Sequence, residues 1–302
     1  MTTGVVLAPN RDAANLVDDA IDQARAAFDV GVRQVWLAQQ FDYDAIALAG
    51  LIGAAVPGLG VGTFVVPVNP RHPLVVASLA QTAQAASHGN FSLGLGLGAH
   101  AIERETFGID PVHTVARLRE HLTVLRAVFD GADVAVRGEH VTAVPQWPVR
   151  VAGGTPIPVY VAAMGPKALQ VTGELADGTL PFLAGPRTIA EFITPTISAA
   201  ATEAGRPAPR VIAAVPVLVT DDRDAGRAVA HESLSFYDTI PSYQKVVARE
   251  GLASAVDLAV VGSSDEVVTE LQAYLAAGAT DVVLSPLKSD TLHDLWQVAA
   301  TL

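Results

Sequence analysis

The 302-residue sequence contains no cysteine. Disulfides, thiolate metal sites and a cysteine nucleophile are excluded together. Basic side chains are scarce, 19 Lys and Arg against 31 Asp and Glu, for a formal net charge of −12. No Lys/Arg cluster runs along an expected face, which disfavours nucleic acid as a partner, because neutralising phosphates needs such a cluster. Long apolar runs are missing too. No segment approaches the ~20 residues that span a bilayer, and MTTGVVLAPNRD carries no basic region ahead of an apolar stretch. The expectation is a soluble cytoplasmic protein with no membrane partner. Aromatics make up only 6% of a chain that is half hydrophobic. Ala, Val, Leu and Gly dominate, as buried parallel strands flanked by small-residue helices require.

What is present is a strict alternation. Strands are expected at Gly4 to Ala8, Gln34 to Ala38, Val61 to Val66 and Phe91 to Leu95. Four more are expected at Val159 to Ala162, Gly178 to Pro181, Arg210 to Thr220 and Asp281 to Ser285. Each precedes at least one helical pattern. The first helix, Asn15 to Val30, carries Leu16, Ala20, Ala24 and Ala27 at helical spacing and stops at Gly31. A long helical tract is expected from Ala225 to Glu250. Eight strands in βα alternation predict an α/β fold, the (β/α)8 or TIM barrel. An open doubly wound sheet usually needs a Gly-rich loop after the first strand, where Pro9-Asn10-Arg11-Asp12 stands instead. After the fourth helix, DVAVRGEHVTAVPQWPV alternates at period two about Arg137-Gly138, predicting an inserted β-hairpin at about residues 131–150. No linker interrupts the pattern, so residues 1–302 read as a single domain.

In a barrel, chemistry belongs in the loops just after the strands. These loops hold Gln39, Gln40 and Asp42 after strand two, Asn69, Arg71 and His72 after strand three, and Gly96, Gly98 and His100 after strand four. Strand five is followed by Ala163-Met164-Gly165-Pro166-Lys167. There a glycine, a first-turn proline and a lysine at a helix start make either an anion site or a plain helix beginning. GLGLG does not match the dinucleotide fingerprint, and alternating glycines equally suit tight packing inside a barrel. No His-x-His pair lies on a strand, which disfavours a metal centre. Lysines number three, Lys167, Lys245 and Lys288, and Lys288 lies beyond Pro286 rather than in a strand, which lowers a Schiff-base role.

Three runs in order, TFVVPVNPRHP…ASLAQTAQAASHGNFSLGLGLGAH, PVYVAAMGPKALQVTGELADG and AVVGSSDEVVTELQAYLAAGATDVVLSP, carry a resemblance over nearly the whole chain. The sequence resembles the luciferase-like monooxygenase superfamily, and more narrowly its actinobacterial branch that uses the deazaflavin coenzyme F420. That resemblance implies an oxidoreductase acting on a small-molecule substrate and commonly assembled as a homodimer. It places a non-prolyl cis peptide at Phe64-Val65 behind the flavin-type ring, with Asn69, Arg71 and His72 beside the ring. Gly96, Gly98 and His100 would flank the phosphate, and Ala163, Met164, Gly165, Pro166 and Lys167 would form the phosphate-binding helix start. Asp177-Gly178 matches the family's ADG, whose usual part is structural.

One departure matters. Several deazaflavin-dependent relatives have Asp-His where this chain has Gln39-Gln40, and glutamine cannot act as a general base. Gln39 is then expected to touch the cofactor, while Gln40 and His72 orient or polarise the substrate. Either His72 or His100 replaces the missing histidine, or the enzyme is a reductase whose proton comes from solvent. FMN-dependent monooxygenation is the alternative activity, and binding of a flavin or deazaflavin without turnover is the alternative outside enzymes.

Overall fold

The computed structural model describes residues 3–98 and 100–302, the side chains of residues 100–102 excepted. The chain begins with β1 (Gly4–Val6), α1 (Leu16–Val30), β2 (Gln34–Leu37) and α2 (Ala45–Ala55). Next come β3 (Gly60–Thr63), β4 (Val66–Pro67), α3 (Pro73–Ala86), β5 (Phe91–Gly96), α4 (His100–Phe107) and α5 (Thr114–Phe129). A hairpin of β6 (Val136–Arg137) and β7 (Thr142–Ala143) precedes β8 (Val159–Ala162), α6 (Pro166–Leu175) and β9 (Gly178–Thr179). The chain continues through α7 (Pro186–Thr188), a π-helical turn (Ile189–Ile193) and α8 (Thr194–Glu203). After β10 (Arg210–Val219) come α9 (Arg223–Leu234), a 3-10 turn (Ser235–Thr239), α10 (Pro241–Glu250) and a second 3-10 turn (Ala255–Leu258). The chain ends with β11 (Val260–Gly262), α11 (Ser264–Ala276), β12 (Asp281–Pro286) and α12 (Leu292–Thr301). The fold is a (β/α)8 barrel, with β3 and β4 together serving as its third strand.

Several expectations need correcting. Strand three is not one run, since the Phe64–Val65 peptide between β3 and β4 is cis. The tract from Ala225 to Glu250 is two helices, because Pro241 starts a new one after the 3-10 turn. The segment after strand four, read from the sequence as loop, contains α4. β11 was not expected; it is an extra strand beside the C-terminal part of β10. The hairpin is present, but only two residue pairs join its strands and its turn spans Gly138–Val141.

Packing divides the chain into two compact units. One comprises Met1–Trp36, Leu180–Ser198 and Arg210–Leu302. Within it β1 lies parallel between β12 and β2, and β10 runs parallel to both β12 and β11. All but the end residues of β10 are buried, which explains the unbroken apolar stretch RVIAAVPVLV. α1 starts at Asn15, whose side chain accepts the N–H groups of Val17 and Asp18, and stops at Gly31 with φ 122°.

The other unit comprises Leu37–Thr179 and Ala199–Pro209. Here β5 is buried along its length, with β3 and β4 on one side and β8 on the other, and β9 continues beyond β8. The Thr63 hydroxyl donates to the Gly94 carbonyl and accepts the Gly94 N–H, locking β3 to β5. Two buried glutamines anchor α3: Gln84 accepts the Phe91 N–H, and Gln81 accepts the Val151 N–H. The hairpin is tied to α5 by Glu120, whose carboxylate accepts the N–H groups of Glu139, His140 and Val141. Desolvation raises the Glu120 pKa, but those three backbone donors outweigh it and leave a net depression. Asp177 is a structural hub, paired with Arg126 at 2.9 Å and Arg206 at 3.0 Å and accepting the Val159 N–H. Among the described residues, no helix is long and apolar enough to cross a membrane.

Candidate functional site

The residues assigned to the cofactor or substrate, Gln39, Gln40, Phe64, Val65, Asn69, Arg71, His72, Gly96, Gly98, His100 and Ala163 to Lys167, fall in the second unit, at or after the carboxyl ends of β2, β3, β4, β5 and β8. In parallel barrels that end carries the active site.

Gln39 follows β2 and has a full set of bonds. Its Nε2 donates to the carbonyls of Gln40 and Tyr43 at 2.6 and 2.7 Å. Its Oε1 accepts the Ala45 N–H at 3.1 Å and Arg71 Nη2 at 2.9 Å. Gln39 thus shapes the loop and steadies Arg71, and this arrangement leaves its amide no bond for a cofactor. Asp44 completes the clamp. One of its oxygens caps α2 through the N–H groups of Ile46 and Ala47, while the other meets Arg71 Nη2 at 2.7 Å. Arg71 Nη1, by contrast, is buried with no hydrogen-bond partner. A guanidinium held on one side and unmatched on the other fits a ligand rich in acceptor oxygens.

His72 is differently employed. Its Nδ1 accepts the Leu74 N–H at the start of α3, so Nε2 carries the proton and lies 3.0 Å from the Thr142 carbonyl of β7. Both ring nitrogens therefore hold backbone, joining the hairpin to α3. The expectation that His72 polarises a substrate finds no free nitrogen in this geometry. Nearby on α5, His121 is buried, and desolvation together with the charge of His72 lowers its pKa to about 3. The His100 side chain lies outside the described residues.

The cis bulge and the end of β5 meet closely. Phe64 and Val65 are half-buried between buried Thr63 and Val66, and the Phe64 N–H donates to the Leu37 carbonyl at 2.8 Å. A β-carbon on Gly96 would lie 2.6 Å from Val65 Cγ2. At Gly98, φ is +81° and the Glu103 carboxyl fills the space a side chain would need. Asn69, whose bond to Pro70 is cis, donates its amide to Glu103 Oε1 at 3.2 Å. The loops after β4 and β5 are thus cross-linked.

Ala163 is buried after β8, Met164 is half-buried, and Gly165, Pro166 and Lys167 are exposed. Gly165 starts α6 with no side-chain cap, and nothing lies within 4 Å of the β-carbon position on Gly165. The first-turn N–H groups with Lys167 beside them suit an anionic group. Among the described residues no cluster of three or more His, Asp or Glu side chains could hold a metal ion.

Asp44 and Glu103 were not singled out in the sequence. Asp44 directly precedes AIALAG and was legible as a helix cap. Glu103 carried no such signal, since only the fold distinguishes it from the exposed Glu105 two residues on.

The family model described as luciferase-like monooxygenase matches residues 1–281, and the chain belongs to that family. The 5,10-methylenetetrahydromethanopterin reductase of Methanopyrus kandleri is 26% identical over 310 residues, covering 88% of each protein. Among solved structures, an F420-dependent secondary alcohol dehydrogenase in complex with an F420-acetone adduct superposes with a TM-score of 0.82 at 20% identity, over 98% of each chain. The oxygenating constituent of 3,6-diketocamphane monooxygenase from Pseudomonas putida, in complex with FMN, gives a TM-score of 0.74 at 17% identity, over 99% of this chain and 96% of that one.

Proposed function

We propose that this protein binds coenzyme F420 in the loops after β2, β4, β5 and β8 and is a reductase of a small unsaturated or carbonyl substrate. When bound, the reduced deazaflavin supplies the hydride; the protein orients the reactants and excludes water. The single observation that carries the reading is the Arg71 guanidinium, clamped by Gln39 and Asp44 with Nη1 buried and unmatched. Arg71 would meet an acceptor oxygen of the cofactor, and the open start of α6 with Lys167 would hold its phosphate. Val65, packed on Gly96, would back the ring.

The loop after β2 supports the reductase direction. Gln39 is consumed by loop geometry, and Gln40 has no titratable atom with which to take an alcohol's proton. The similarity to the 5,10-methylenetetrahydromethanopterin reductase agrees with this direction. FMN-dependent monooxygenation is the competing activity, favoured by the likeness to an FMN-bound oxygenase. We place a second copy of the chain on α2 and α3, which contain no charged residue and expose Leu51 and Val75.

The test is turnover. Purified protein is given reduced F420 under anaerobic conditions, or reduced FMN with oxygen, against a panel of enones, imines, aldehydes and ketones. Oxidation of F420 coupled to substrate loss is expected. Oxygenated product with FMN alone would establish the competing activity.

A further inference from the structure

Among the described residues two carboxylates are buried, Glu103 and Asp281. Asp281 has its counterion, Arg210, at 2.6 Å. Glu103 is 2% exposed and has no ion pair among the described residues; Asn69 donates to Oε1, and Oε2 has no partner. A buried carboxyl with one unmatched oxygen is costly, and it calls for a partner that the described residues do not supply. Its position is specific. It lies against Gly98, just past β5, and is held by Asn69, just past β4. The carboxyl is therefore built into the strand-end loops where the reduction is placed, although α4 itself is a surface helix.

We infer that Glu103 is the proton-exchanging group of that reduction, taking the part that neither Gln40 nor His72 can take. This rests on the reductase reading above. Oε1 accepts from Asn69, so a proton on this carboxyl would sit on Oε2, the oxygen without a protein partner. In the step, the bound deazaflavin would supply a hydride to one atom of the substrate double bond, breaking the π bond. The Oε2–H bond breaks as its proton goes to the other atom. Two electrons pass from cofactor to substrate, and the carboxylate regains its proton from water after product leaves. Asn69 is a positioning residue in this scheme, fixing which oxygen faces the substrate.

The test compares wild type with Glu103→Gln, Glu103→Asp and Glu103→Ala. Glutamine keeps the size and the acceptor for Asn69 but has no proton to give. The expected result for Glu103→Gln is a fall in kcat of about 10²- to 10⁴-fold, with the F420 dissociation constant and the melting temperature both near wild type. Glu103→Asp keeps intermediate activity, and added formate restores turnover to Glu103→Ala, which a packing role would not produce. An active wild type with Glu103→Gln within threefold of it overturns this inference alone. A wild type that binds F420 yet reduces no acceptor overturns the reductase reading and this inference with it.

Discussion

Val65 lies so close over Gly96 that a β-carbon on Gly96 would come within 2.6 Å of Val65 Cγ2. The two residues belong to different strand ends, and their contact sets the position of the Phe64-Val65 bulge against β5. Gly96→Ala would overpack that contact. The expected loss of stability is about 1–3 kcal/mol, read by urea unfolding, together with weaker cofactor binding. Gly165→Ala is the control. Its β-carbon meets nothing within 4 Å, so stability should change by less than about 0.5 kcal/mol.

Acid should weaken the fold through His121. Burial, with the His72 charge, lowers its pKa to about 3, whereas the unfolded chain binds that proton near the ordinary histidine value of 6.5. Between those values the unfolded state holds more protons, so this contribution to stability is complete above pH 6.5 and is lost as pH falls towards 3. Glu120, whose pKa is also lowered, acts in the same direction at lower pH. Unfolding of His121→Leu measured from pH 7.5 to pH 4 should show a shallower decline than wild type. Parallel curves would remove His121 as a source of acid sensitivity.

Asp177→Asn should destabilise without touching the cofactor site. It weakens the bonds to Arg126, Arg206 and the Val159 N–H, and hydrogen bonds to charged groups contribute about 1.5–3 kcal/mol, reduced here by partial exposure. A lower melting temperature with an unchanged F420 dissociation constant is the expected pair of readings.

The barrel was legible because its signals are local. Each strand is a short β-branched or apolar run, and Gly31, Pro73 and Pro166 sit where helices stop or start. The exceptions arise where tertiary contacts decide. β11 is a three-residue strand created by its register on β10, and no periodicity announces three residues. The site was less legible for the same reason. The residue types at Gln39, His72 and Glu103 do not reveal that the first two are tied to backbone while the third is buried with an unmatched oxygen. The resemblance pointed to these loops, and the hydrogen bonds show which of their polar atoms are already engaged.

Self-association should depend on the uncharged faces of α2 and α3. Leu51 is 50% exposed on α2, and Leu51→Glu would place a charge there. Sedimentation should give a mass near twice 31.3 kDa for wild type and near 31.3 kDa for the variant. A monomeric wild type contradicts the dimer.

Lys167→Ala should weaken F420 binding severalfold, and Arg71→Met should weaken it about tenfold or more, the loss of a charged hydrogen bond. Lys167→Ala should leave the melting temperature unchanged, since Lys167 is exposed. An unchanged dissociation constant would remove either residue from the site.

The central claim is that this family member uses the deazaflavin. Fluorescence titration of the purified protein with F420 and, separately, with FMN tests it most directly. The account predicts saturable micromolar binding of F420 that Arg71→Met weakens, with FMN binding much more weakly. Micromolar binding of FMN and none of F420 would contradict it.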